Sequence, residues 1–569
     1  MEQDTSGVWI LSHHKTIGYS DGSASDAYLR RIFESARNLG SRSEELEGYI
    51  HDWPSEYHLT RKRSQLLSGF SFDKRKRVLE VGCGCGAITR FLGEVFDEVV
   101  SVEGDLSRAR LARLRTRDQD NIAIVCAPFH LIEFSDKFDV IFCVGVFEYS
   151  GLFVDDERPY ESIIDYFSSV LTDDGVLVLA IENQFGLKYF CGASEDHSGL
   201  PFDGIEGYVR KPGGARTFGK HELGDLLNRH FSHQQFYYPY PDYKVPDMVL
   251  SEEFLASGRA GEMISQVRSR DYSQSYHPLW LESSSVAELN RNHLLDIVAN
   301  SFLVIAGKSA NSGVSFPQQG IFYSPRRRPL YATQTRIVAR PDGQLQTVKE
   351  RITEDPQPLA SVLRQRLDPS EWVDASSLQT QLLVRAASSN AALADIFAPA
   401  GAWVDTLRKA VEAESGRLPG KLVDAIWGNA YLAEGRCTFI DLEWEWHEPL
   451  PLGVLVIRAA FDLLHKAADA VPDGSPLVGR SGRKMIRAIA ECLGVTLSHE
   501  DFDAFINLES AIQSEVFGLD REKVRWHLRW FLFDRVSLQF CGRIKRRMRN
   551  STRRLSTLLA SRLAAEVKD

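Results

Sequence analysis

The stretch that decides the fold reads Arg77-Val78-Leu79-Glu80-Val81-Gly82-Cys83-Gly84-Cys85-Gly86-Ala87. An apolar, β-branched run ends abruptly in three glycines at every second position, and apolar residues then recur at helical spacing up to Val95. The pattern predicts a strand, a tight loop and a helix. Glycines let the backbone turn sharply and approach a ligand closely, and the helix N-terminus presents free N–H groups to an anionic group.

A second apolar run, at residues 99–102, ends in Glu103. An acid at the tip of the second strand of such a unit is placed to accept hydrogen bonds from both hydroxyls of a ribose. The glycine loop and Glu103 together predict a nucleoside site.

Length and composition restrict the remaining possibilities. A chain of 569 residues is too long for one ordinary core, so we expect two or more domains. The net charge of -10 argues against a general nucleic-acid binder, because phosphate contacts need a basic face. The start of the chain is acidic and polar, unlike a cleavable signal, and no run reaches the roughly 20 apolar residues that span a bilayer. We therefore expect a cytoplasmic protein.

The eight cysteines are scattered along the chain. Cys83 and Cys85 lie inside the glycine loop, where a zinc ion would distort the ligand turn, and no second pair stands at ligand spacing. We interpret them as small, reduced residues, with a zinc site as the alternative.

Strands and helices alternate from residue 76 to residue 181. The predicted strands lie at 78–81, 99–102, 122–126, 138–144 and 176–181, and the predicted helices at 87–95, 106–115 and 160–171. The strands are continuous apolar runs, as in a parallel sheet buried on both faces. The predicted fold class is α/β, a Rossmann-like doubly wound sheet that binds ligands at its carboxyl edge. Residues 1–55 are predicted to form a helical cap on this domain, which would span 56–308.

Two cofactor classes use such a site. Gly82, Gly84 and Ala87 could pass as a variant of the dinucleotide pattern G-x-G-x-x-G. An acid two residues before an alternating glycine triplet, as at Glu80, instead resembles motif I of the class I S-adenosylmethionine-dependent methyltransferases. The stretches at 138–141 and 171–175 also resemble the fourth strand of that family and the loop before its fifth strand. We prefer this second interpretation, which covers about residues 77–181.

The resemblance implies S-adenosyl-L-methionine as cofactor. It places the cofactor against Glu80, Gly82, Cys83, Gly84, Gly86, Glu103, Gly104, Phe129 and Val144. Phe129 could stack on the adenine or belong to the core, and the sequence leaves both open.

An insertion at residues 182–260 follows the fifth predicted strand. Polar, charged and aromatic residues interleave there without helical or strand period, notably at 182–190, 215–219 and 238–244. Loops above a parallel sheet bind substrates, and aromatic faces with short polar groups suit a polyhydroxylated ligand. The pattern resembles a branch of methyltransferases associated with surface-polysaccharide and O-antigen assembly. That resemblance implies O-methylation of a sugar hydroxyl, or a sugar phosphate, on a polysaccharide or glycolipid intermediate.

The candidates for catalysis are His197, Asp196 and Glu148. His197 is the candidate base, because its ordinary pKa suits proton transfer near neutrality. Asp196 or Glu195 would orient it or join it in binding a divalent metal, although no resident metal is our prediction; the alternative is a solvated acidic turn. Glu148 follows the fourth predicted strand and would serve the substrate or cap the next helix.

The second half of the chain begins after a Gly-, Ser- and Pro-rich stretch at 307–320, which we interpret as a linker. A hairpin is predicted around Asp342-Gly343. Further on, Asp424, Asn429 and Asp441 have the spacing of protein-kinase-like catalytic and metal loops, and by that resemblance Lys349 is the phosphate lysine. No glycine-rich loop precedes this lysine. We therefore predict a smaller, degenerate α+β kinase-like domain at 321–475 that binds or scaffolds, with an active sugar or lipid kinase as the alternative.

A helical C-terminal segment is predicted at 476–569. From Arg521 onward it holds 14 Lys and Arg residues against 4 Asp and Glu residues, interleaved with aromatics such as Trp526 and Trp530. Such a helix suits an anionic membrane surface, here the inner membrane face, or an acidic partner such as a polysaccharide-assembly protein. The alternative is a helix packed on the kinase-like domain. Three functions remain open: a glycan or glycolipid methyltransferase, a bifunctional methyltransferase and kinase, and a non-catalytic assembly scaffold.

Overall fold

The structure is a computed structural model that describes residues 1–11, 21–72, 76–272, 279–280, 282–310, 313–324, 326–353, 362–387, 391–433, 435–471, 474–478 and 481–533. The chain forms two compact units. The first comprises Met1–Pro325 and Thr333–Leu345, and the second comprises Arg326–Ala332 and Gln346–Asp569.

The first unit is built on strands that run from residue 2 to residue 339. They are β1 (Glu2–Gln3), β2 (Trp9–Ile10), β3 (Ser71–Phe72), β4 (Arg77–Val81), β5 (Glu98–Glu103), β6 (Ile122–Cys126), β7 (Phe138–Val144), β8 (Leu171–Glu182), β9 (His233–Tyr240), β10 (Met248–Ser251), β11 (Ser301–Gly307), β12 (Val314–Ser315), β13 (Gly320–Tyr323) and β14 (Thr333–Ala339).

All of these strands except β3 and β12, which pair with each other, belong to one sheet in the spatial order β1-β2-β6-β5-β4-β7-β8-β11-β9-β10-β13-β14. The part from β2 to β8 is parallel, and the remaining pairs are antiparallel. The chain order reverses between β4 and β7. Ligands bind beyond the carboxyl ends of the strands at such a switch point.

Helices flank this sheet. They are α1 (Ser23–Ser35), α2 (Glu44–Glu47), α3 (Trp53–Leu59), α4 (Lys62–Gln65), α5 (Ala87–Val95), α6 (Leu106–Arg115), α7 (Ser150–Phe153), α8 (Pro159–Val170), α9 (Leu187–Phe190), α10 (Lys220–Leu227), α11 (Glu252–Ala256), α12 (Gly261–Ser265), α13 (Glu282–Arg291) and α14 (Leu295–Val298).

The predicted Rossmann-like sheet is confirmed, and most predicted element bounds agree with the structure to within one or two residues. The clearest difference is β8, which begins at Leu171 rather than at 176. Its pairing with β7 steps from Phe138–Leu171 to Val140–Val176, so the polar residues 172–175 form an irregularity within the strand. The strand begins early because Leu171 is buried and holds the register at its start.

The boundary of the first unit lies beyond the predicted linker. Within that stretch, β12 pairs with β3, and Gln318 Nε2 donates a 2.6 Å hydrogen bond to the carbonyl of Gly69. β13 then pairs with β10 through Phe322 and Met248. Residues 314–323 therefore belong to the first unit, because their backbone groups extend its sheets, whereas the predicted second domain begins at 321.

The second unit combines short strands with longer helices. Its elements are β15 (Leu345–Arg351), β16 (Leu363–Gln365), β17 (Ser370–Glu371), α15 (Leu378–Ala386), α16 (Leu393–Phe397), α17 (Ala400–Lys409), β18 (Ala430–Ala433), β19 (Arg436–Phe439), β20 (Trp444–Trp446), α18 (Leu452–Ala470), α19 (Gly482–Cys492), α20 (His499–Phe517) and α21 (Arg521–Phe533).

The core of the second unit is centred on the buried rings of Trp403 and Trp427, whose centroids lie 5.5 Å apart. Leu463 of α18 and Ile489 of α19 are buried in the same core. Most of the predicted basic end, at 534–569, lies outside the described residues. Within the described part of the chain, no helix is long and apolar enough to cross a membrane.

Candidate active site

The three glycines of the loop after β4 all have positive φ angles, of 72° at Gly82, 54° at Gly84 and 83° at Gly86. A Cβ at Gly82 would lie 2.3 Å from Val146 Cγ2, and one at Gly86 would lie 3.0 Å from the Cα of Ala112. Gly82 and Gly86 are therefore required for packing as well as for backbone conformation. At Gly84 a Cβ would meet only the flexible side-chain end of an arginine, so this position is where the loop stays open.

Glu103 at the end of β5 also shapes the glycine loop. Its Oε2 accepts a 2.7 Å hydrogen bond from the N–H of Gly84, and its Oε1 accepts a 3.1 Å bond from the N–H of Asp105. A carboxylate has about four acceptor sites, so two remain for the hydroxyls of a ribose. The acid predicted to bind the ribose thus fixes the loop against which the rest of the ligand would lie.

Glu80 is the buried acid of this loop. Its Oε2 accepts a 2.7 Å hydrogen bond from Ser101 Oγ, and burial raises the pKa of Glu80 to about 7. A carboxyl with such a pKa changes charge near neutral pH, and a cationic ligand beside it favours the ionised form.

The loop opens into a cavity of about 270 Å³ at the carboxyl edge of the sheet. Of the predicted cofactor residues, all but Gly86 line it: Glu80, Gly82, Cys83, Gly84, Glu103, Gly104, Phe129 and Val144. The predicted catalytic residues Glu148, Asp196 and His197 line the same cavity. The structure therefore brings together residues that are more than one hundred positions apart in the sequence.

Phe129 is half-buried, so it can both pack in the core and offer a face to an adenine, the two alternatives that the sequence leaves open. Its ring stacks on Phe167, with centroids 5.8 Å apart and planes at 20°, and it also borders the cavity. The core contact fixes the ring in a position where a base can lie against it.

Cys83 and Cys85 are free thiols. Burial raises the pKa of both, that of Cys85 to about 12, so both stay protonated at neutral pH. Zinc binds the thiolate form, and this environment opposes that form.

The inner end of the cavity holds a group that we call the acid–histidine cluster, defined as Glu148, Glu182 and His197. His197 Nε2 lies 3.7 Å from Glu148 Oε1 and 4.0 Å from Glu182 Oε2. Both glutamates are buried, with 1% and 0% of their surface exposed. Within the described part of the chain, Glu148 Oε2 and Glu182 Oε2 have no hydrogen-bond partner.

Glu195, rather than Asp196, orients His197. Glu195 Oε1 lies 2.9 Å from His197 Nδ1, and its Oε2 accepts the backbone N–H of His197 at 2.9 Å. Asp196 instead pairs with Lys188 at 3.0 Å and with Lys244. The alternative interpretation was a solvated acidic turn. In the structure the Asp196 carboxylate instead belongs to a network of ion pairs with the ammonium groups of Lys188 and Lys244.

The electrostatics of this network follow from burial and pairing. Burial alone would raise the pKa of Asp196, but Lys188 and Lys244 hold it well below its usual range. Burial raises the pKa of Glu148. For His197 burial disfavours the charged ring, but Glu182 and the other carboxylates outweigh it and raise the pKa well above the ordinary value.

The sequence did not single out several residues that line the cavity. Glu182 and Lys244 were seen only as members of polar stretches, and Lys244 Nζ contacts Glu182 Oε1 in the structure. Trp53 and Tyr57 come from α3 near the N-terminus. The charge at the end of β8 is the one signal that could have indicated Glu182, since site residues follow strand ends in this fold.

In the second unit, the residues with kinase-like spacing also lie together. Lys349 Nζ contacts Asp441 Oδ1 and lies 2.6 Å from Glu443 Oε2. Asn429 Nδ2 donates to the carbonyl oxygens of Asp424 at 3.0 Å and of Asp441 at 3.3 Å. Asp441 has a φ of 54°, which is uncommon for a residue with a side chain.

Charge pairing dominates this second group. Burial would lower the pKa of Lys349, but Asp441 and Glu443 outweigh burial and raise it. Burial raises the pKa of Asp424, although Arg458 Nη1 lies 2.9 Å from its Oδ1.

Comparisons with known proteins find a match within the first unit. Residues 79–177 match the family model described as "Methyltransferase domain". No curated protein matches the chain.

Among solved structures, the chain is similar to the N-methyltransferase NodS from Bradyrhizobium japonicum in complex with S-adenosyl-L-homocysteine, at 16% identity over 37% of this chain and 89% of that chain, with a TM-score of 0.24. A SAM-dependent methyltransferase from Archaeoglobus fulgidus is similar at 15% identity over 42% of this chain and 88% of that chain, with a TM-score of 0.26.

The residues present fit the cofactor that this family uses. Gly84 leaves the loop open, Glu103 keeps acceptor sites for a ribose, and Phe129 offers a fixed aromatic face, all on one cavity. With the family match over the same strands, residues 79–177 form a methyltransferase domain, and the cavity beside them fits S-adenosylmethionine.

Proposed function

We propose that the chain methylates the oxygen of a sugar hydroxyl, or of a sugar phosphate, on a cell-surface polysaccharide or glycolipid intermediate. One observation carries this proposal: the cavity that the predicted cofactor residues line is also lined by the acid–histidine cluster and by Tyr149, Tyr243 and Tyr272. Aromatic faces bind the C–H surfaces of a sugar, and carboxylates bind its hydroxyls.

The cluster has the groups that methyl transfer to oxygen requires. The cofactor supplies an electrophilic methyl group on a sulfonium, so the protein must hold the acceptor oxygen in line with it and remove the acceptor's proton. As the oxygen–carbon bond forms, the sulfur–carbon bond breaks, and the proton leaves the hydroxyl. We assign Glu148 to receive it, because this residue lines the cavity and its Oε2 has no hydrogen-bond partner among the described residues.

His197 has a positioning role in this proposal. Glu195 fixes the ring through Nδ1, which leaves Nε2 directed toward Glu148 and Glu182. In this proposal the base is therefore Glu148, whereas the sequence analysis predicts His197 as the base.

The test is mass spectrometry of the surface polysaccharide from cells that carry the wild-type protein, the Glu148→Gln variant or no protein. We expect a methyl group on the glycan in wild-type cells alone, while purified Glu148→Gln retains binding of S-adenosyl-L-homocysteine. Glycans that are identical in all three strains would overturn the proposed acceptor. The exposed Glu222→Gln is the matched control, since its side chain pairs with Arg216 at the surface.

A second candidate function is a bifunctional methyltransferase and kinase. The contacts among Lys349, Asn429 and Asp441 support a kinase-like phosphate site in the second unit. Because no glycine-rich loop precedes Lys349, we retain a binding or scaffolding role as the main proposal for this unit. The test is phosphate release from ATP. If this release depends on the acceptor and is lost in Asp441→Ala, the second unit is an active kinase rather than a scaffold.

We further propose that the C-terminal end attaches to an anionic membrane surface. On α21 the rings of Trp526 and Trp530 stack at 11° and are 59% and 45% exposed. Exposed indoles beside arginines suit the boundary between lipid headgroups and acyl chains. Flotation with anionic liposomes tests this: we expect the full chain to float and a Trp526→Ser, Trp530→Ser variant to remain below, and equal flotation of both would contradict it.

A further inference from the structure

The acid–histidine cluster has more buried negative charge than its surroundings compensate. Around His197 lie the carboxylates of Glu148, Glu182 and Glu195, which are buried, and that of Asp196, whose side chain is 6% exposed. The two lysines that contact them, Lys188 and Lys244, compensate two of the four. Buried carboxylates without counter-charges are costly, and in proteins they are paired or bind metal ions. Even with His197 protonated, one of the four carboxylates has no counter-charge among these groups.

The geometry offers three ligand atoms to one ion. One oxygen of Glu148, one oxygen of Glu182 and one ring nitrogen of His197 lie within 4.8 Å of one another. Ligands of a divalent ion lie about 2.0–2.2 Å from it, so ligand pairs are roughly 3–4 Å apart. The 3.7 Å and 4.0 Å separations from His197 Nε2 fall in that range.

The unpartnered oxygens give a second, independent indication. Glu148 and Glu182 line the cavity, and the Oε2 atom of each is buried without a hydrogen-bond partner within the residues that the structure describes. The other oxygen of Glu182 accepts the hydroxyl of Tyr243 at 3.2 Å and contacts Lys244. Glu195 holds the Nδ1 side of His197, as a carboxylate does behind a metal-binding imidazole.

We propose that the acid–histidine cluster binds one divalent metal ion through Glu148, Glu182 and His197 Nε2. Two carboxylates and an imidazole suit Mn²⁺ or Zn²⁺, and three protein ligands leave positions open toward the cavity. An ion there makes an acceptor hydroxyl more acidic. Glu148 would bind it through Oε1 and keep Oε2 for the proton. This differs from the sequence-based prediction of no resident metal.

The proposed metal site can be tested without the acceptor. The role of the ion toward the acceptor hydroxyl rests on the proposed function. The experiment is a titration of the metal-stripped full chain with Mn²⁺, followed by the loss of the electron paramagnetic resonance signal of free Mn²⁺, with Zn²⁺ as competitor. We expect one site per wild-type chain, displaced by Zn²⁺. In Glu182→Gln the affinity should fall at least about 10-fold, the loss that even indirect partners of metal ligands cause.

Glu222→Gln is the matched control and should bind Mn²⁺ as the wild type does. Binding of S-adenosyl-L-homocysteine by Glu182→Gln shows that the variant is folded. If the wild type binds no Mn²⁺ stoichiometrically, or if Glu182→Gln binds it as tightly as the control, the proposed metal site is wrong. Methyl transfer that persists in a wild-type chain without metal leaves the proposed function intact, and Mn²⁺ binding without glycan methylation leaves the metal site intact.

Discussion

Glu80 gives the sharpest prediction about pH. Burial raises the pKa of its carboxyl from 4.5 to about 7 in the folded chain. The folded state therefore binds the proton more tightly than the unfolded state, so the free energy of unfolding falls as the pH rises from 4.5 through 7. At about 1.4 kcal/mol for each pKa unit, the loss reaches about 3 kcal/mol at pH 8. Glu80→Gln stays neutral and can still accept the Ser101 hydroxyl, so it should escape this loss.

Urea unfolding at pH 5 and pH 8 measures the difference. We expect the Glu80→Gln variant to gain stability relative to the wild type by up to about 3 kcal/mol between the two pH values. Glu98→Gln is the matched control, because Glu98 is an exposed acid of the next strand that pairs with Arg77. If wild type, control and Glu80→Gln show the same pH dependence, then Glu80 is ionised throughout and the argument from its burial fails.

Three further changes test other parts of the molecule. Gly84→Ala and the control Gly207→Ala both place a side chain at positive φ, so each should lower the free energy of unfolding by about 1–2 kcal/mol. Only Gly84→Ala should also weaken the binding of S-adenosyl-L-homocysteine, which calorimetry measures. Gly82→Ala should destabilise the chain more than either in urea unfolding, because its Cβ overlaps a neighbouring valine, and an effect no larger than that of Gly207→Ala would contradict this. Lys349→Met leaves the buried Glu443 with one counter-charge fewer and should lower the thermal midpoint of the second unit, which an unchanged melting profile would disprove.

The glycine loop and its strands could be predicted because their signals are local. Three glycines at alternate positions and an acid at each strand end are properties of a short segment, and the loop after β4 needs all three glycines for its positive φ angles. The topology then follows from the rule that parallel strands share a carboxyl edge.

The acid–histidine cluster was only partly predictable, because it depends on long-range packing. Glu182 ends β8, whereas Lys244 lies after β9, and nothing in the spacing between them predicts that their side chains touch. The same reason applies to residues 307–320, whose composition is that of a linker. Their tertiary partners, such as Gly69 for Gln318, are distant in sequence, so composition alone could not place them in the first unit.

The most direct test of the central claim is calorimetric titration of the full chain with S-adenosyl-L-homocysteine, for the wild type and for Glu103→Ala. The change removes the ribose acceptors and also the partner of the Gly84 N–H. We predict one site per wild-type chain and at least about a 10-fold loss of affinity in the variant, since each hydrogen bond to a charged group contributes about 1.5–3 kcal/mol. A wild-type chain that does not bind the ligand, or a Glu103→Ala variant that binds it equally well, would contradict the account of this site.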